Sequence, residues 1–135
     1  MFKFLLKLKT VRKKRPVRAN ADYLRLKDDA RMIVHERLEH FNRHYRFAYG
    51  RVSIRDQKSR WGSCSGKGNL NFNYRIAMLP PELQDYLVVH ELCHLSQMNH
   101  SPAFWSLVAE AVPDWRDRHR ALRSVRMAGG PSVLQ

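Results

Sequence analysis

Residues 88–100 read VVHELCHLSQMNH. The fold turns on whether this stretch is a helix that ends soon enough for its third histidine to return over the first two. An α-helix advances about 100° per residue, so His90 and His94 lie about 40° apart on one face, where two imidazoles can share one metal ion. Glu91 is offset by about 60° from His94, a position that suits a carboxylate touching a metal-activated water rather than the metal. Val88, Leu92 and Leu95 fall on the other side of the wheel. The helix is therefore expected to pack a core with one face and present histidines with the other.

Two ligands make a poor zinc site, because catalytic zinc usually takes three protein ligands and keeps one position open. His100 follows His90 by ten residues and completes H-E-x-x-H-x5-H, the spacing of the metzincin group. Metzincins carry glycine where this chain has Gln97, so the turn must be built differently. Asn99 in a left-handed conformation is the expected helix stop. Two readings of His100 stay open on spacing alone: third ligand, or simple neighbour of a helix cap at Ser101. The segment HERLEH (35–40) is an internal control. His35 and His40 are five apart and diverge, and His40 and His44 have Phe41 where the glutamate should be. Histidine abundance alone makes no site.

Working outward, Pro81 sits in the first turn of the histidine helix, where proline is tolerated. Ser101–Pro102 reads as the cap and first residue of another helix, to about Val112. Pro113 ends that helix, and Asp114 is placed to cap a last arginine-rich one to about Val125. Upstream, Asn20 is placed to cap a long amphipathic helix over 21–45, with Leu26, Ala30, Ile33, Val34, Leu38, Phe41 and Tyr45 at helical spacing. Between the helices the period becomes two. Val52 and Ile54 alternate with polar neighbours, as do Leu70, Phe72, Tyr74 and Ile76, and SGKG (65–68) marks a turn. Two or three antiparallel strands with a hairpin near Gly66–Gly68 are predicted. Residues 2–11 also alternate, which fits a short strand or a basic arm.

The chain has 135 residues, 44% of them hydrophobic and 27% charged, with a formal net charge of +13. That length fits one domain with a real core. The boundaries are drawn as a basic segment over 1–19, a domain over 20–125 and a tail over 126–135. Residues 1–20 hold eight Lys or Arg and no acid, residues 115–135 hold five Arg and one Asp, and the middle is nearly neutral. Basic ends fit either a nucleic-acid or anionic partner or a solvated tail. MFKFLLKLK interrupts its apolar residues with lysines, so it forms no signal-peptide core. No stretch approaches the roughly 18 apolar residues of a membrane span. Cys64 and Cys93 make no disulfide framework, and a cytoplasmic location is expected.

Three stretches, QKSRWGSCSGKGNLNFNYRIAMLP, DYLVVHELCHL and NHSPAFW, together resemble the YgjP-like metallopeptidases, within the wider WLM and SprT-like group of zincins. The resemblance spans about residues 20–122. It implies an α+β, minimal zincin-like fold: a long N-terminal helix, a small antiparallel sheet of about three strands, a zinc-binding helix and one or two C-terminal helices. It puts His90, His94 and His100 at the zinc-ligand positions and Glu91 at the catalytic one. Family members often carry a longer N-terminal β-region, of which only a short basic segment is expected here.

The expected reaction is hydrolysis of a peptide or protein substrate by a zinc-activated water, with Glu91 as general base. Tyr86, one turn before His90, is a candidate oxyanion donor or simply a core tyrosine. The 70–76 strand is a candidate substrate edge or a solvated face. Cys93 is expected in the core. The competing class is a nucleic-acid-associated binding protein with a structural zinc, using Trp61, Phe72 and Tyr74 as stacking platforms. A protease recruited to nucleic acid by its basic ends combines the two. The sequence does not fix the oligomeric state.

Overall fold

The computed structural model describes residues 20–125; the expected strand or arm at the N-terminus and the C-terminal tail lie outside them. The first helix, α1, spans Ala21–Tyr45. The Asn20 side chain accepts from the Asp22 N–H at 3.0 Å, and Asp22 places a negative charge in the first turn, which favours the helix dipole. Ala30, Val34 and Leu38, four residues apart, form its fully buried stripe.

Strands β1 (Val52–Arg55), β2 (Gly62–Cys64) and β3 (Leu70–Asn73) form a three-stranded sheet in the order β1-β3-β2. The predicted hairpin is present: β2 and β3 are antiparallel, with Ser63 opposite Asn71, and Gly68 takes the left-handed turn position at φ 81°. The sheet is mixed, however, and not antiparallel throughout. β3 slots between the other two and pairs with β1 in parallel, Val52 opposite Leu70 and Arg55 opposite Asn73. The connection over 56–61 must therefore step across one strand, a span of roughly 10 Å.

Asn73 and Arg75 tie that connection down. The Asn73 side chain donates to the Gln57 and Arg60 carbonyls, the latter at 3.0 Å. Arg75 donates to Asp56 at 3.3 Å and to the Gln57 carbonyl at 3.2 Å. Asn73 also accepts from the Arg75 N–H at 3.0 Å, which turns the backbone into a 3-10 segment over Tyr74–Met78. The alternation through Ile76 is thus only half strand. Asn73 and Arg75 are buried polar anchors rather than a solvated face, and β3 is a central strand that cannot offer an edge. Trp61, Phe72 and Tyr74 are each about 1% exposed, so none is a stacking platform.

Helix α2 (Pro81–Cys93) runs through the middle of the molecule, and α3 (Pro102–Ala111) and α4 (Trp115–Ser124) close over it. The two-faced reading of α2 needs correction: every residue from Tyr86 to Cys93 is buried, histidine face included. The helix also ends earlier than its pattern suggests. After Cys93 the chain tightens, with Leu95 N–H bonded to the Leu92 carbonyl and Ser96 N–H to that of Cys93. Asn99 does not adopt the left-handed conformation; among the described residues only Arg46 and Gly68 have positive φ. Ser101 caps α3 by accepting from the Phe104 N–H at 3.3 Å. Asp114 stands at the start of α4 without capping it by a side-chain bond, and its carboxylate instead pairs with Arg118.

Candidate metal centre

The tightened turn after Cys93 is what brings His100 back. His90 approaches from the last turn of α2, His94 from the residue that caps it, and His100 from the residue before the Ser101 cap. Their Nε2 atoms form a near-equilateral triangle: 3.1 Å between His90 and His94, 3.1 Å between His94 and His100, and 3.2 Å between His100 and His90. Four tetrahedral ligands at zinc–nitrogen distances lie about 3.3 Å apart, so one ion fits this face. His94 Nδ1–H donates to the Gln97 carbonyl at 2.9 Å. That bond puts the His94 proton on Nδ1 and turns its Nε2 lone pair towards the other two rings. Gln97 therefore holds the turn by its carbonyl where a glycine would act by its backbone freedom. His90 and His94 are buried while His100 is exposed.

Glu91 is fully buried, and neither carboxylate oxygen has a hydrogen-bond partner. Burial raises its pKa well above the usual carboxylate range, because the charged form loses hydration that nothing replaces. Gly62, the first residue of β2, lies directly against it. A Cβ there would sit 3.0 Å from Glu91 Cγ and 3.2 Å from Cδ. A cavity of about 240 Å³ adjoins the triad, lined by Cys64, His94, Met98 and His100. Burial and the neighbouring Glu91 push the Cys64 thiol up to about 11, so it is not a ready thiolate.

The structure therefore brings His90, His94 and His100 together and puts Glu91 on the same helix with a bare carboxylate. It keeps His35, His40 and His44 apart from them on α1. Tyr86 is a core residue, as the simpler reading held. Its hydroxyl meets His90 Nδ1 at 3.3 Å, behind the ring and away from the converging Nε2 atoms, so it is no oxyanion donor. Cys93 is buried, and both cysteines are free.

Several neighbours of the site have no role assigned from the sequence. His119 of α4 bonds the Tyr86 hydroxyl through Nδ1 at 2.7 Å. Burial, then Arg123 and His100, lower its pKa. Trp105 of α3 stacks on His100 at 5.7 Å and on Trp115 at 4.0 Å. Trp105 lies in the NHSPAFW stretch close to His100, whereas His119 and Trp115 join from α4 across a chain separation that no local pattern records.

Among solved structures, two metallopeptidase zymogens share this architecture. Abylysin of Pyrococcus abyssi is 25% identical, with a TM-score of 0.62 over 74% of this chain and 99% of that one. Jannalysin of Methanocaldococcus jannaschii, at 22% identity, shares the fold with a TM-score of 0.54 over 70% of this chain and 93% of that one. No curated protein sequence matches this chain. Residues 6–125 match the YgjP-like metallopeptidase domain, and the chain belongs to the YgjP-like metallopeptidase family.

Proposed function

We propose that this chain is a zinc-dependent peptidase in which His90, His94 and His100 hold the metal through Nε2 and Glu91 is the general base. The observation that carries this reading is the convergence of three imidazole Nε2 atoms beside a buried carboxylate with no hydrogen-bond partner. Imidazole nitrogens suit zinc among common divalent ions. A three-ligand set with one side facing a cavity is the pattern of a catalytic site, whereas structural zinc is usually closed by four protein ligands. When bound, zinc supplies Lewis acidity, polarising a substrate carbonyl and acidifying water.

The chain's own residues do the rest. Gly62 leaves room for the Glu91 carboxylate, and burial makes that carboxylate a stronger base than an exposed one. It takes the proton of the attacking water and returns it to the leaving amine. The Gln97 carbonyl keeps His94 in one tautomer. For substrate, an extended peptide fits best along the outer edge of β2, the edge strand next to the cavity. Backbone hydrogen bonds there would hold it independently of sequence.

Replacing Glu91 with Gln should leave one zinc per chain and cut hydrolysis of a denatured protein by about 10²-fold or more. Wild-type turnover by that variant would overturn the general-base assignment. His100→Ala should lose both zinc and activity, and an undiminished zinc content would remove His100 from the ligand set.

A further inference from the structure

We infer that Tyr86 and His119 form a hydrogen-bonded brace that fixes the tautomer and ring orientation of His90, which makes both of them positioning residues for the metal centre. The inference rests on the reading that the triad holds a metal. Tyr86 is fully buried, and its hydroxyl touches two imidazoles: His90 Nδ1 at 3.3 Å and His119 Nδ1 at 2.7 Å.

Proton counting orders this chain of bonds. A His90 that offers its Nε2 lone pair to a metal carries its proton on Nδ1 and donates it to the Tyr86 oxygen. The phenol has one proton, which is then free to point only at His119 Nδ1. His119 must accept there, so in its neutral form it carries its own proton on Nε2. This assignment uses both contacts and keeps the His90 Nε2 lone pair turned towards the triad.

The brace has the rigidity such a role needs. The His119 ring stands edge-on to Tyr86 at 5.9 Å and 89°, and to Trp105 at 5.6 Å and 84°. It is therefore fixed from α2 and α3 while its backbone belongs to α4. His94 reaches the same end by a local route, donating to the carbonyl three residues on. His90 relies on a partner 33 residues further along the chain from Tyr86. Packing of α4 thereby bears directly on the geometry of one metal ligand.

The test uses the full-length protein and cobalt(II), with affinity measured by chelator competition and geometry by the visible absorption of the bound ion. Tyr86→Phe and His119→Ala should each weaken cobalt binding by about 10–100-fold and change the absorption envelope. The double variant should bind no more weakly than Tyr86→Phe alone, because His119 acts only through the hydroxyl. His119→Asn, whose Oδ1 can accept the Tyr86 proton, should recover most of the affinity and the wild-type spectrum. Melting curves of the metal-free variants separate a brace from a fold defect.

His119→Ala with wild-type affinity would overturn the inference. So would losses that add in the double variant, or an His119→Asn variant with an unchanged metal-free melt that binds as weakly as His119→Ala. A wild type that takes up no cobalt would overturn the metal reading itself, and the brace with it.

Discussion

At the scale of single residues, Gly62 and Glu91 are packed against each other beside the site. A Cβ at Gly62 would lie 3.0 Å from the Asn71 carbonyl oxygen as well as against Glu91. The carbonyl belongs to β3 and cannot move without opening the sheet, so the carboxylate must give way. Gly62→Ala should cost about 1–3 kcal/mol of stability by overpacking and lower kcat. Zinc content should hold, because the close contacts are with Glu91 and Asn71 and not with the histidines. Melting, metal analysis and peptide hydrolysis on one preparation check all three, and an unchanged kcat would show that Glu91 tolerates displacement. The helix wheel made His90, His94 and the separate task of Glu91 legible in the sequence. The proximity of Gly62 was not, since a glycine in WGS reads locally as a strand or turn residue. The demand on it comes from a side chain 29 positions away.

At the scale of elements, the sequence shows periods well and partners poorly. The 3.6-residue period and the cap at Asn20 gave the limits of α1, and the turn signal gave the β2–β3 hairpin. The parallel pairing of β1 with β3 and the early end of β3 were hidden. Both depend on Asn73 and Arg75 reaching back to the 56–61 connection, which an alternating pattern cannot reveal. The early end of α2 was hidden for a similar reason: two tightened turns and the His94–Gln97 bond replace the expected left-handed Asn99. The left-handed non-glycine residue among those described is instead Arg46, at φ 56° just past α1, with its N–H on the Asn42 carbonyl. The Asn42 side chain bonds both the N–H and the carbonyl of Phe47, each at 2.9 Å, and so holds the chain in that turn. A side chain in this conformation costs about 1–2 kcal/mol. Arg46→Gly should therefore raise stability, by about 1 kcal/mol after the added entropy of the unfolded chain. Urea unfolding with an unchanged slope would measure it, and a destabilised variant would mean that the Arg46 side chain contributes more than its backbone costs.

At the scale of the whole molecule, the histidine triad sits on a continuous apolar core. Buried apolar residues run without a break from Ala30, Val34 and Leu38 of α1, through Leu70 and Phe72 of β3 and Leu87–Val89 of α2, to Phe104 and Leu122 of the last two helices. A zinc finger lacks such a core and unfolds without its ion, whereas this chain should keep its fold when stripped. What the ion adds is linkage: a ligand present at about 1,000 times its Kd stabilises by about 4 kcal/mol. For a folded unit of this size that is a rise in Tm of roughly 10–20 °C. Chelation should thus lower Tm by that amount while leaving the far-UV circular dichroism at 25 °C intact, and returning zinc should restore it. His100→Ala, which removes the exposed member of the triad, should melt near the chelated value and respond to neither treatment. Loss of helical signal on chelation at 25 °C would make the ion structural. A Tm indifferent to chelator and zinc alike would mean that the triad binds none, for a site of three converging lone pairs cannot take up an ion without drawing the folded state down in free energy.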